Sequence, residues 1–327
     1  MPTHEPKLIL DCNAYREELE QLFAGITPHP YTEPNRFLEQ AACAADRLPE
    51  AIRCGVYDFH RYGNHTGVLL LRGLPQEPDI DNIPTPQGQS DKASFISEKS
   101  LGVFGARLGE VFAYRQIEDG ALFHNIVPKP GMETQQSSAC SLVELLFHTE
   151  QHFHPHSPDY VLLYCLRQSP GAATFYASVR ELEGRLAADT RARLFKPLFR
   201  SGVDYIFGNT DTERGNGPLV PVLYGNPDDP FLCYDQDLMV GTTPAAQQAL
   251  VELQQALDEA TDSVSLEPGD LLLVDNRRCV HGRRPFKAQF DGHDRWLQRA
   301  KVMRDLDRAA ADLDSSGRVV ETTFLLN

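Results

Sequence analysis

The residues best placed to do chemistry are His148 and Glu150, in the run Leu145-Leu146-Phe147-His148-Thr149-Glu150. The apolar start of the run reads as a strand, and strand side chains alternate between faces, so the imidazole and the carboxylate share one face. A metal that must also bind a cosubstrate and oxygen can take only one more protein ligand beside them. Non-haem Fe(II) oxygenases solve this with a facial triad of two histidines and one carboxylate, which leaves the other positions open. The third ligand is expected from His281. It follows Pro268-Gly269-Asp270-Leu271-Leu272-Leu273-Val274-Asp275-Asn276, a turn and an apolar strand, then a polar bend and a second strand carrying the histidine. Arg295 lies 14 residues further on, a fixed cation suited to a bidentate pair with the distal carboxylate of 2-oxoglutarate. An HxE tripeptide alone is weak, but order, separation and context together specify an iron site.

Other residues mark where a substrate would sit. Arg299 is four residues after Arg295, an even spacing that puts both on one strand face, and two buried arginines are costly unless anions meet them. In Tyr234-Asp235-Gln236-Asp237-Leu238 the two aspartates alternate onto one face of an expected strand, a double carboxylate suited to a guanidinium or ammonium. Asp204, at the base of a glycine-rich polar stretch over 204–217 that reads as a lid loop, adds a third acid.

At FHTE, PDYVLL, ATFYASVREL, VLYGNPDDPFLCYDQDL, LEPGDLLLVDN and DGHDRWLQR the chain resembles the Fe(II)/2-oxoglutarate oxygenases of the clavaminate synthase group, nearest their free-amino-acid (arginine) β-hydroxylases. The likeness runs from about Leu101 to Val302. It implies a fold that is mainly β with flanking α-helices, with a double-stranded β-helix (distorted jelly roll) as the core. It also implies consumption of 2-oxoglutarate and O2, with Fe(II) held by His148, Glu150 and His281. By the same resemblance Thr174 helps Arg295 hold 2-oxoglutarate, and Arg299 takes the α-carboxylate of an amino acid. Gln116 then binds its α-amino group together with Glu150, and Ser138 lies near the substrate. The expected reaction is hydroxylation of a free cationic amino acid, L-arginine or a guanidino relative, at C3 or C4 in specialised metabolism such as antibiotic biosynthesis. The rivals are lysine, citrulline, enduracididine or asparagine hydroxylation, desaturation, and a non-catalytic metal-binding jelly-roll sensor.

Composition is consistent with this reading. The chain has 327 residues, expected to form a single oxygenase domain, with 41% apolar and 24% charged residues and a net charge of −15. That charge argues against nucleic acid and anionic membrane as partners and is permissive for a small cation. No apolar run approaches a membrane span, and the start of the chain does not resemble a signal peptide, so a cytoplasmic location is expected. The seven cysteines show no CxxC pairing and are expected to be reduced. Oligomeric state is not legible.

The positioning elements are read from periodicity. Helices are expected over 13–26, 35–61, 93–107, within 178–197 and over 244–260, with the region to about 62 as a helical scaffold. Strands are expected at 67–73, 112–116, 123–128, 158–165, 263–266, 271–274 and 296–304. His124 reads as structural, and His152, His154 and His156 as a wet loop without a metal.

Overall fold

The computed structural model describes residues 8–86, 88, 92–204, 206–207 and 214–322. Its helices are α1 (Arg16–Ala24), α2 (Pro34–Ala45), α3 (Glu50–Tyr62), α4 (Ile96–Leu108), α5 (Ala188–Leu194) and α6 (Pro244–Glu259). The first half contributes strands β1 (Ile9–Asp11), β2 (Val68–Arg72), β3 (Glu110–Tyr114), β4 (His124–Ile126), β5 (Leu145–His148), β6 (Tyr160–Arg167) and β7 (Thr174–Ser178). Short strands follow at β8 (Phe199–Arg200), β9 (Leu219–Val220), β10 (Leu223–Asn226), β11 (Asp229–Leu232) and β12 (Val240–Gly241). The chain then forms β13 (Asp262–Val264), β14 (Leu271–Asp275), β15 (Cys279–Arg283), β16 (Trp296–Met303) and β17 (Val319–Val320).

Two sheets carry the architecture. The larger has the order β1-β2-β14-β6-β16-β3-β17, with β4 also paired to β16, and the smaller has the order β13-β7-β15-β5. Alternation along the strands explains the layering. On β6, Tyr160, Leu162, Tyr164 and Leu166 face α1 to α4 in one apolar cluster, whereas Val161, Leu163 and Cys165 join Tyr176 and Cys279 of the smaller sheet in another. The outer face of the smaller sheet, with Phe147, Phe175 and Val280, packs on α6 through Leu250, Leu253 and Leu257. The result is helices, sheet, sheet, helix, with the site between the sheets.

β16 divides its side chains in the same way. Trp296, Ala300 and Val302 enter the helix-side core, and Gln298 on that face donates to Glu98 Oε1 of α4 at 2.9 Å. Glu98 is itself bound by Lys92 Nζ at 2.7 Å and by the Tyr31 hydroxyl at 2.7 Å. Leu297, Arg299 and Lys301 face the other way, toward the site.

Several expected boundaries move. The helix expected over 35–61 is two, α2 and α3, because Pro49 disfavours helical geometry at Leu48 and restarts the helix from its own N-cap position. The strand expected at 263–266 begins earlier and ends at Val264. The segment 235–238 is a turn closing on Asp235, not a strand, since Asp235 Oδ1 accepts from the backbone N–H of Asp237 at 2.9 Å and of Leu238 at 2.7 Å. The histidine cluster is not a wet loop either: the His152 side chain is 3% exposed, and His154 is buried against Tyr114 and Phe207. Of the expected lid, residues 205 and 208–213 lie outside the described residues. Phe207 is buried beside Phe112, Tyr114 and Phe153, an apolar anchor that the polar composition around it hides.

Gly282 permits the close pairing of β15 with β5. A Cβ there would collide with the Leu145 carbonyl oxygen and the Phe175 ring, next to the register shift between His281 and Arg283. Gly282→Ala should therefore cost about 1–3 kcal/mol of stability, the range for overpacking, seen as a lower urea midpoint. An unchanged midpoint would mean that the strands separate at no cost.

Candidate metal centre and substrate cavity

Sheet register brings the ligands together. His281 of β15 pairs directly with His148 of β5, and their rings lie 4.5 Å apart between centroids. Glu150 falls just beyond the end of β5, so the strand alternation expected to orient it is replaced by a clamp. Asn276 Oδ1 accepts from the Glu150 backbone N–H at 2.7 Å, and Asn276 Nδ2 donates to the carbonyls of Glu150 at 3.1 Å and Pro158 at 2.9 Å. One buried amide thus fixes the backbone of the acidic ligand from the bend after β14.

The donor set fits a divalent transition metal. One ligand atom each from His148, Glu150 and His281 lies within 4.8 Å of the others, two imidazole nitrogens and one carboxylate oxygen with room for three further ligands. His148 Nδ1 lies 2.8 Å from the Leu146 carbonyl, which sets the Nδ1–H tautomer and frees Nε2. Glu150 Oε2 is 4.0 Å from His148 Nε2 and 3.8 Å from His281 Nε2. Glu150 Oε1 points away and accepts from Gln151 Nε2 at 3.0 Å, with Arg299 Nη1 paired to it at 2.8 Å and Lys301 Nζ at 4.0 Å.

The charges follow from this arrangement. Burial would push the Glu150 carboxyl up, but the charges of Arg299 and Lys301 outweigh it and hold the group well below the usual carboxylate range. Burial and the neighbouring His148 bring His281 down to about 3, so it stands as the neutral imidazole a metal needs. Burial and Arg299 bring Lys301 down to about 7 against the pull of Glu150. Arg295 is brought to about 10 by burial and by a second buried arginine, Arg283, which among the described residues donates to neutral partners, the carbonyls of Cys140 and Arg284 and the Cys140 thiol. An anion is the natural complement to that pair.

All the residues singled out in the sequence line one cavity of about 850 Å³: Gln116, Ser138, His148, Glu150, Thr174, Asp204, Asp235, Asp237, His281, Arg295 and Arg299. Thr174 opens β7, paired with Arg283. Gln116 donates its Nε2 to the Thr322 carbonyl at 2.7 Å, while its buried Oε1 has no hydrogen-bond partner among the described residues and is free to accept. Asp235 forms an isolated bridge with His148, so the acidic turn is carried on the metal-binding strand itself. Further bonds lace the two segments, from Thr149 N to the Tyr234 carbonyl at 2.8 Å and from Gln236 N to the Phe147 carbonyl at 2.9 Å. Asp204 is pushed up by burial and by Glu150 and Asp235 nearby, although the Ile206 N–H it accepts opposes this.

Sequence reasoning missed four residues. Lys301 was legible, since the alternation that pairs Arg295 with Arg299 continues to it. Arg283 had the same signal, two residues after His281. Asn276 was visible only as part of a motif, and Arg214, which lines the cavity and offsets only part of the rise that burial and Asp235 impose on the Asp237 carboxyl, sits in a stretch without periodicity.

A family profile described as taurine catabolism dioxygenase TauD, TfdA family matches residues 56–301. The chain belongs to this family. It is 38% identical over 301 residues to clavaminate synthase 2 of Streptomyces clavuligerus, covering 91% of this chain and 92% of that one. It is 37% identical over 316 residues to the L-lysine 3-hydroxylase of Catenulispora acidiphila, covering 94% and 86%. The fold superposes with a TM-score of 0.86, at 28% identity and over 96% and 100% of the two chains, on the non-haem iron oxygenase OrfP in complex with Fe, succinate and (3R,4R)-dihydroxy-L-Arg. Like other TauD-family members of this kind, the protein is an Fe(II)- and 2-oxoglutarate-dependent dioxygenase. No helix among the described residues is long and apolar enough to cross a membrane.

His148→Ala or His281→Ala should abolish Fe(II)-dependent succinate formation while leaving the circular dichroism spectrum intact, because the ligands sit at the mouth of a formed sandwich. Near-normal turnover by either variant would remove that residue from the metal site. Asn276→Ala should keep all three ligands yet weaken metal binding by about 10–100-fold, the range for losing a group that orients a ligand, as measured by titration with Fe(II) under anaerobic conditions.

Proposed function

We propose that this dioxygenase hydroxylates a free cationic amino acid, L-arginine or a guanidino relative, at C3 or C4. The observation that carries the reading is a cavity with a guanidinium at Arg299 beside Glu150 and three carboxylates, Asp204, Asp235 and Asp237, in the same lining. A zwitterion with a cationic side chain is complementary to that distribution. Arg299 takes the α-carboxylate, and Gln116 Oε1 with Glu150 takes the α-amino group. Ser138 borders the substrate, and the acids receive its cationic end.

Arg295 and Thr174 hold the distal carboxylate of 2-oxoglutarate, in a pocket closed by Arg283. When bound by His148, Glu150 and His281, iron supplies with 2-oxoglutarate and O2 the oxidising power for C–H hydroxylation. The chain's own part is placement: gripping the amino acid at both ends leaves a mid-chain carbon as the part nearest the metal. We read the two sheets as a double-stranded β-helix and the chain as one domain. Within it the region to about residue 62 serves as scaffold, 204–217 as lid, and the cytoplasm is the place of action.

Lysine is the second reading, favoured by the higher identity to a lysine 3-hydroxylase than to the structure that holds (3R,4R)-dihydroxy-L-Arg. A kcat/KM comparison of arginine, lysine, citrulline and asparagine, by succinate release, decides between them. Preference for a neutral amino acid would defeat the cationic assignment.

Asp235→Asn keeps the oxygen that closes the turn and removes only charge. It should raise KM for the cationic substrate by roughly 2–5 kcal/mol equivalent, the range for breaking a largely desolvated charged pair. Asp237→Asn, at a more exposed position, should cost about 1 kcal/mol. Citrulline should lose much less in the double variant, and equal losses for arginine and citrulline would make these acids turn residues only.

A further inference from the structure

Arg299 has two claimants. In this structure its Nη1 forms an ion pair with Glu150 Oε1 at 2.8 Å, and in the reading above it also receives the α-carboxylate of the amino acid. Two carboxylates sharing one guanidinium repel each other, and the one that moves would be the metal ligand or the substrate. Lys301 is the other cation within reach. It lies two residues along β16 on the same face, its side chain is wholly buried, and its Nζ is 4.0 Å from Glu150 Oε1 with no hydrogen-bond partner among the described residues. Its other neighbour of note is the Tyr114 ring, 5.7 Å from the nitrogen. A buried amine with no acceptor is costly to keep, so pure packing is a poor reason for a lysine in this place.

We propose that Lys301 is a positioning residue for Glu150. Its charge, 4.0 Å from Oε1, acts beside the Gln151 amide that donates to the same oxygen at 3.0 Å, so that the carboxylate stays turned with Oε2 alone toward the metal, and it retains that oxygen when Arg299 turns to the incoming carboxylate. The second part rests on the assignment of Arg299 to the substrate; the first does not. Lys301 touches neither substrate nor metal. Its effect passes through Glu150.

The roles separate in Lys301→Met, which keeps the length of the side chain and removes its charge. The metal-free variant should melt within a few degrees of the wild type, because a cation without a hydrogen bond has been taken out of the interior while Glu150 keeps Arg299 and Gln151 as partners. Its affinity for Co(II) alone, followed by the visible absorption of the ion, should nevertheless fall by about 10-fold or more. Adding 2-oxoglutarate and arginine should weaken Co(II) binding further in the variant and not in the wild type, while the affinity for 2-oxoglutarate itself stays unchanged. Lys301→Gln, which keeps a donor without the charge, should fall between the two.

Co(II) affinity within about twofold of the wild type, with and without arginine, would overturn the proposal. So would a metal-free variant that melts several degrees lower and loses Co(II) binding in parallel, which would make Lys301 a packing residue of the core. Should Arg299→Met leave arginine affinity intact, the substrate assignment falls and takes the hand-over with it. The titration with Co(II) alone still judges the first part.

Discussion

The structure depends on keeping one carboxylate ionised, buried and aimed. Glu150 is almost out of reach of solvent, and an isolated charge in such a place would cost several kcal/mol. What makes it tolerable is a division of the group. One oxygen meets Arg299, Gln151 and the approach of Lys301, and the other is left for a metal between the two imidazoles. The surrounding architecture serves that division. Strand β16 carries the cations, β15 and β5 carry the histidines in register, and the bend after β14 supplies the amide that fixes the backbone of Glu150.

The fold was legible in sequence wherever one period ran undisturbed. The strands β2, β6, β14 and β16, and the helices α4 and α6, appear within a few residues of where their apolar patterns put them, because burial on fixed faces is what both the pattern and the fold express. The break before α3 was carried by a single proline inside a long helical pattern, which the pattern outweighed. The buried state of His154 had no signal at all, since its cover comes from Tyr114 and Phe207, distant in sequence.

The site was legible through spacing and less so through mechanism. His148, His281, Arg295 and Arg299 stand in one cavity as their order implied. Glu150 stands there for a different reason: it has left the strand, and a long-range hydrogen bond from Asn276 replaces the pleat. Asp235 and Asp237 reach the cavity from a turn, not from one face of a strand, and Asp235 spends one oxygen on closing that turn. Local sequence encodes alternation well. It does not say which polar side chain will be drawn in from another strand to satisfy a backbone group.

The two-sided character of β16 limits how enzymes of this architecture can diversify. A slip of one residue would exchange Arg299 for Gln298 or Ala300 and drive a charge into the layer where Gln298, Glu98, Lys92 and Tyr31 are already matched to one another. A shift of register there is therefore disfavoured, and the grip proposed for the carboxylate end of the substrate is inherited with the strand. The acidic turn after β11 is under no such double obligation on its exposed side. On the proposed reading, new side-chain preferences can arise there by point substitution, which makes the amino-acid backbone the fixed part of the recognition problem and the side chain the part open to selection.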